Sequence, residues 1–270
     1  MSRQESADEV RRTLSMPTVH AAWEGSYYSR DTERFYERAL AEVVAQLGAP
    51  RGATIFDAGC GQGYHAVRLA RLGYRVHAVD FSEHVLAVAK ENIAKAGFAE
   101  AIELRREDLT ALTSGDESVR YILCWGVLMH VPEIARAVAE LSRVLEPGGV
   151  IAVSEGNDRS LDALAIRLLR LARRGASHSS ATSTGLETWK ETPAGPLLTR
   201  QVNVRWLVRE FERNGLRLEH RRAGEFTEAY TKIRAPLVTS GIHALNRLWF
   251  ERVRNDLVAS GTLLFLRKPA

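Results

Sequence analysis

Cysteine is scarce in this chain, with only Cys60 and Cys124 among 270 residues. Two thiols cannot staple a small scaffold, and each ends an apolar run, so both read as small buried side chains. No second Cys or His stands at ligand spacing from either, so no metal is expected. Long apolar runs are missing too. Nothing reaches the roughly 18 to 20 residues that cross a bilayer. Met1 to Thr18 is polar and charged, without the apolar centre of a secretory signal. The expectation is a cytoplasmic protein with no transmembrane segment. No lysine is followed by Ser or Thr, which excludes the phosphate-cradling P-loop, and there is no internal repeat.

What is present is an ordinary globular composition, 45% apolar and 26% charged, long enough for one α/β domain with an elaboration. The net charge of +4 is unevenly spread. Residues 1–158 carry 17 Lys and Arg against 23 Asp and Glu, whereas 159–270 carry 20 against 10. A basic C-terminal part suits an anionic substrate, a membrane surface or nucleic acid, and equally a solvated face.

From Ala53 short apolar runs alternate with helical patterns, the signature of βαβ units around a parallel sheet. Strands are expected at Ala53 to Ala58, Arg75 to Val79, Ala101 to Arg105, Val119 to Trp125 and Val150 to Ser154. Helices are expected at Tyr64 to Leu72, from the N-cap Ser82 to Ala96, and from Pro132 to about Leu145. Beyond Ser154 the regularity breaks. Leu161 to Arg174 has leucines at helical spacing with a basic polar side, expected to pack as a cap helix. Gly175 to Gly185 reads as a mobile Ser/Thr/Ala-rich loop. A helix at Val204 to Asn214, a strand at Leu216 to His220, a helix at Leu237 to Val253 and a strand at Thr262 to Leu266 complete the pattern.

The segment Asp57 to Gly63 follows a strand and precedes a helix, and reads Asp-Ala-Gly-Cys-Gly-Gln-Gly. Glycines there let backbone turn tightly and approach a ligand, and the helix that follows offers unpaired N–H groups. The dinucleotide fingerprint wants its third glycine where Tyr64 stands, and Gly63 comes one residue early.

This segment resembles the Asp-x-Gly-x-Gly-x-Gly motif of the class I S-adenosylmethionine-dependent methyltransferases, in their small-molecule branch. The resemblance implies an α/β, Rossmann-like, mostly parallel seven-stranded sheet with an antiparallel closing strand and a helical cap or insertion. It implies S-adenosyl-L-methionine as cofactor. The backbone around Gly59, Gly61 and Gly63 would hold its methionine part, with Asp57 and Cys60 of the same motif also cofactor-binding residues. Asp80, ending the second strand, would accept from both ribose hydroxyls, with Phe81 against the adenine. Asp108 and Leu109 would read the adenine edge, and Trp125 and Gly126 would lie beside the transferable methyl. Leu145 to Ser154 is similar to the family's Leu-x-Pro-Gly-Gly turn and fifth strand. Trp23, Tyr27 and Tyr28 fall where the family often has a lid, with Tyr27 placed to contact the cofactor or simply to pack. The implied organisation is a helical lid at 1–50, a cofactor-binding core at 51–158, a cap insertion at 159–202 and completion of the sheet at 203–270.

Methyl transfer from a sulfonium is an in-line displacement in which the protein supplies position and field. His130 is the candidate general base, with packing as its alternative. His65 reads as a cofactor or structural contact. Glu155, Asn157, Arg200 and Tyr230, with His130, are candidate acceptor-binding residues, and Trp189 and Trp206 are neighbours. The expected partner is a small-molecule acceptor methylated at oxygen, with no nucleic acid. Peripheral lipid contact through the basic helix is open, as is the choice between monomer and homodimer. RNA or protein methylation, a non-catalytic cofactor-binding module and a nicotinamide oxidoreductase are the rival readings. Against a DNA amino methylase, the position after strand four reads Cys124, Trp125, Gly126 and Val127 rather than Asn- or Asp-Pro-Pro-aromatic. A Pro-Cys nucleophile of the RNA type is also absent.

Overall fold

The computed structural model describes residues 3–16, 18–20, 29–172, 178–233 and 235–270. Trp23, Tyr27 and Tyr28 lie outside the described residues. In chain order the first elements are α1 (Arg3–Leu14), α2 (Arg30–Leu47), β1 (Thr54–Ala58), α3 (Tyr64–Arg71), β2 (Arg75–Asp80), α4 (Glu83–Ala96), β3 (Ile102–Arg106) and β4 (Val119–Trp125). Then come α5 (Ile134–Val144), β5 (Leu145–Gly156), α6 (Leu161–Ala172), β6 (His178–Thr182), β7 (Gly185–Thr192) and β8 (Gly195–Val202). The chain closes with α7 (Val204–Arg213), β9 (Arg217–Ala223), α8 (Pro236–Leu248) and β10 (Gly261–Arg267).

Seven strands form one sheet in the order β3-β2-β1-β4-β5-β10-β9. The first five pair in parallel, and β10 runs antiparallel to both β5 and β9. Parallel strands buried on both faces must be apolar throughout. Successive side chains point to opposite faces. Leu123 and Leu263 therefore join Val43, Leu47, Leu69 and Ile93 on one side. Their neighbours Ile122 and Leu264 join Val138, Leu141, Leu207 and Phe211 on the other. Burying one such side chain contributes about 1.5–3 kcal/mol, so both helical layers are held by the same alternating strands.

Local signals set the ends. Ser82 caps α4 by accepting from the Val85 amide at 3.3 Å, and Gly97 ends it with φ +80°. Gly149 has no substitute, because a Cβ there would lie 2.8 Å from the Glu146 carbonyl and 2.9 Å from that of Arg120. The register with β4 shifts there, from Val119 opposite Leu145 to Tyr121 opposite Val150. The Pro-Gly-Gly turn is thus a bulge inside a longer β5 than the sequence suggests.

The region after β5 differs most from expectation. Helix α5 starts at Ile134 with Glu133 as its cap, two residues beyond Pro132. Residues 178–182, read as loop, are β6, and with β7 and β8 they form a separate three-stranded antiparallel sheet. The insertion is therefore a helix plus a β meander. Ser, Thr and Ala in β6 carry no apolar alternation because that strand lies at the edge of a small sheet. Leu161, Leu164 and Leu168 of α6 are 47%, 48% and 57% exposed, so these leucines face outward instead of packing on the core.

Candidate functional site

At the C-terminal ends of the parallel strands the chain leaves the sheet in turns, and ligand groups in open α/β sheets gather there. The turn after β1 is folded back on β2: the Gly59 and Cys60 amides both donate to the Val79 carbonyl, at 2.9 and 2.8 Å. Gly59 (φ +77°) also passes so close to the loop after β4 that a Cβ would meet Val127 Cγ1 at 2.6 Å. Gly63 has another reason to be glycine. A Cβ there would press on Ala89 and Ile93 of α4, both at 3.3 Å, so it serves helix packing. Cys60 is buried, its thiol raised by burial, and does not line the cleft.

Asp80 closes the turn from the side. One carboxylate oxygen accepts from the Gly61 amide at 3.1 Å and the other from the Ser82 amide at 3.0 Å. Asp57, beneath the turn, is 2% exposed, and its Oδ2 has no hydrogen-bond partner among the described residues. Burial, and then the Asp80 charge, push its pKa up to about 7. Asp108 follows β3. Burial alone would raise it, but hydrogen bonds from Thr110 and the Arg11 guanidinium outweigh burial and hold it below the usual carboxylate range.

A cleft of about 130 Å³ is lined by Gly59, Gly61, Asp80, Phe81, Asp108, Leu109 and Gly126, joined by Val127, His130, Val131 and Pro132. Arg11, Leu14 and His20 complete its wall from the N-terminal side. Arg11 donates to Asp108 and to Glu133, each at 2.9 Å, tying α1 across the cleft. These residues fit an adenosyl group better than a pyrophosphate. Each Asp80 oxygen keeps a lone pair for a ribose hydroxyl, Phe81 and Leu109 offer apolar surface, and the Gly61 amide that a phosphate would need already donates to Asp80. The orphaned Asp57 oxygen suits a cationic amino-acid end.

A second cavity of about 300 Å³ opens on the other side of Gly126 and His130, which line both spaces. Its aromatic wall is Phe35, Tyr36, His65 and Trp125. Tyr36 and His65 pack edge to face at 5.2 Å, and His65 lies 5.2 Å from Trp125. Arg68 holds this wall: it donates to Glu33 at 2.6 Å and to His65 Nδ1 at 3.1 Å, with its guanidinium 5.0 Å from the Tyr36 ring centre. Burial, and then Arg68, push the His65 pKa well down, so the ring is neutral.

His130 Nδ1 lies 2.7 Å from the Leu198 carbonyl in β8, which fixes Nδ1 as the protonated nitrogen and gives Nε2 the lone pair. Desolvation lowers its pKa to about 4. Glu155 lines the cavity but is already engaged. It accepts from the amides of Val127, Leu128 and Met129 at 3.1, 2.7 and 3.1 Å. Burial nonetheless raises it to about 7. It is a cap for the loop carrying His130.

Three expected acceptor residues lie outside the cavity wall. Arg200 is 2% exposed, paired to Glu187 at 3.0 Å and donating to the carbonyls of Leu128 and Val131 at 3.1 and 2.9 Å. It fastens the meander to the His130 loop. Asn157 donates to the Asp256 carbonyl at 2.7 Å, joining two surface turns. Tyr230 is buried and donates to Glu225 at 2.9 Å. Trp206, on α7, packs against the core, and Trp189 lies opposite Leu198 in the meander. Glu225, Glu228, Lys190 and Thr199, which line the cavity, carry no motif and were not legible in the sequence.

The comparisons with known proteins agree with this geometry. Residues 56–153 match the family model described as a methyltransferase domain. A probable S-adenosylmethionine-dependent methyltransferase from Mycolicibacterium smegmatis is 28% identical over 202 residues, 75% of this chain and 64% of that protein. A ubiquinone biosynthesis O-methyltransferase from Thiobacillus denitrificans is 36% identical over 107 residues, 39% of this chain and 45% of that protein. The chain thus spans less than two thirds of the length of these curated relatives. Magnesium protoporphyrin IX methyltransferase from Synechocystis PCC 6803, solved with bound SAH, shares the fold at a TM-score of 0.65 and 16% identity, covering 95% of this chain and 97% of that one. Residues 56–153 are thus similar to a methyltransferase domain, and the seven-stranded sheet that they build together with β9 and β10 has the fold of solved S-adenosylmethionine-dependent methyltransferases.

Proposed function

We propose that this chain binds S-adenosyl-L-methionine in the cleft between Asp80 and Asp108 and methylates a small molecule held in the larger cavity, at an oxygen atom. The observation that carries the reading is that Gly126 and His130 are the residues that, among the described residues, line both cavities. A donor in one and an acceptor in the other would face each other across that point.

When bound, the cofactor supplies an electrophilic methyl group. The chain's own residues do the rest. Asp80 and Asp108 accept from the ribose and the adenine, and Asp57 and the glycine turn hold the amino-acid end. The aromatic wall excludes water and orients a ring or chain. His130 Nε2 accepts the proton an acceptor hydroxyl must lose, its tautomer fixed through Leu198. Lys190, exposed at the cavity rim, bears on His130 electrostatically and favours a deprotonated acceptor oxygen, which supports oxygen as the methylated atom. A cavity of about 300 Å³ is at the lower end of small-molecule sites. It suits a small acceptor better than a polymer, so RNA and protein are the weaker alternatives.

Isothermal titration with S-adenosylhomocysteine, with NAD as control, tests the cofactor. Micromolar binding of the first alone is expected, and binding of NAD instead overturns the reading. Transfer of labelled methyl to a panel of hydroxylated small molecules then tests catalysis. Binding without turnover on any of them would favour a non-catalytic module.

A further inference from the structure

The cavity wall contains a carboxyl group that the reaction above does not use. Glu225 follows β9 and is fixed there by backbone: its carbonyl accepts from the Gly261 amide at 2.9 Å, and the Gly224 amide donates to the Gly261 carbonyl at 2.8 Å. The residue is 8% exposed. Tyr230 donates to its Oε2 at 2.9 Å and the Asn246 side chain also acts on the carboxyl, while Oε1 is buried with no partner in good hydrogen-bond geometry among the described residues. A buried acceptor left unpaired is destabilising, and such groups mark places where a ligand completes the hydrogen bonding.

The charge around Glu225 identifies the missing partner. Glu228 lies on the same wall, and the charges of Glu228 and Asp162 both act against ionisation of Glu225. Among the described residues of the wall the cation is Lys190, on the meander beside His130. The end of the cavity under β9 is therefore acidic, while its middle is aromatic, which suits a cation on an apolar body.

Resting on the reading of this cavity as the acceptor site, we propose that the acceptor carries a basic nitrogen, and that Glu225 binds that ammonium group and so selects it. Burial, with the Glu228 charge behind it, raises the Glu225 pKa to about 8, so the empty cavity holds a neutral acid. An acceptor that enters as the free amine takes up that proton, and one that enters as the ammonium displaces it to solvent, so that either way an ammonium–carboxylate pair results. Glu225 stands at β9 and Gly126 at β4, three strand spacings apart in the sheet order, or roughly 14 Å at about 4.8 Å per strand. The acceptor is accordingly elongated, with its nitrogen distant from the methylated atom.

The test is a series of phenols bearing ω-aminoalkyl chains of two to about six carbons, each compared with its alkyl and ω-hydroxyalkyl counterpart for binding to the protein loaded with S-adenosylhomocysteine. At one chain length or more the amine is expected to bind at least tenfold tighter than both counterparts, and Glu225→Gln to abolish the difference. Binding of S-adenosylhomocysteine by the variant reports that its fold and donor cleft are intact. Glu228→Gln, a milder change, is expected to reduce the preference without removing it. No amine preference at any length, including no binding of any phenol, overturns the proposal. So does a preference that survives Glu225→Gln. Failure to bind S-adenosylhomocysteine in the wild type instead overturns the donor assignment beneath it.

Discussion

Arg11 and Asp108, 97 positions apart in sequence, are joined by a 2.9 Å hydrogen bond across the mouth of the donor cleft. The same guanidinium reaches Thr110 at 3.1 Å and Glu133 at 2.9 Å, so one side chain links α1 to two loops at the sheet's edge. Asp108 is also the carboxylate proposed to receive the adenine amino group. Helix α1 therefore lies over the group proposed to read the cofactor.

Arg11→Ala is expected to loosen this closure. The rate of S-adenosylhomocysteine release, measured by stopped flow, should rise at least threefold, because most changes at a binding interface appear in dissociation. An unchanged rate would mean that α1 does not gate the cleft.

Asp80→Ala is expected to weaken S-adenosylhomocysteine binding at least tenfold by titration. A charged acceptor to the ribose is worth about 1.5–3 kcal/mol, and the change also leaves the Gly61 and Ser82 amides without their acceptor. Full affinity in a folded Asp80→Ala protein would remove the ribose assignment.

His130→Ala should slow turnover by about a hundredfold, the lower end of what a general base contributes, with little change in S-adenosylhomocysteine affinity. A pKa near 4 makes His130 a weak base, so its basicity alone cannot carry the step, and its position at the junction of the cavities matters more. Wild-type turnover in the variant would make the residue structural.

Stability should fall with rising pH. Asp57 and Glu155 at about 7 and Glu225 at about 8 hold protons in the folded chain that ordinary carboxylates release near pH 4. The stabilisation they contribute is complete below about pH 4 and is lost as pH climbs through 7 to 8. The melting temperature of the ligand-free protein should drop between pH 6 and 9, and Glu225→Gln should flatten that slope. Parallel slopes in both proteins would show that Glu225 is not the titrating group.

The parallel half of the sheet was legible because each strand is an apolar run bounded by its own punctuation. Ser82 and Gly97 around α4 illustrate it, and so does the glycine turn before Tyr64. The glycine turn that lines the proposed donor cleft was legible for a related reason: the positive φ of Gly59 and Gly61 is a demand of the backbone itself. The meander could not be read, since Ser179, Ser180 and Thr182 in β6 lack alternation and Gly185 and Gly195 look like loop residues. Arg200 looked like a binding residue because its charge is visible in sequence and its pairing with Glu187 is not. Glu225 was missed because burial, rather than neighbouring sequence, makes it unusual.

The placement of β10 between β5 and β9 has a consequence for how the molecule comes into being. Among the described residues strand β9 pairs with β10 alone, so the wall bearing Gly224 and Glu225 cannot take its place until Gly261–Arg267 has left the ribosome. The donor half, complete by β5, can assemble earlier. A nascent chain stalled between the two stages would already present the proposed donor cleft while lacking part of the wall proposed for the acceptor.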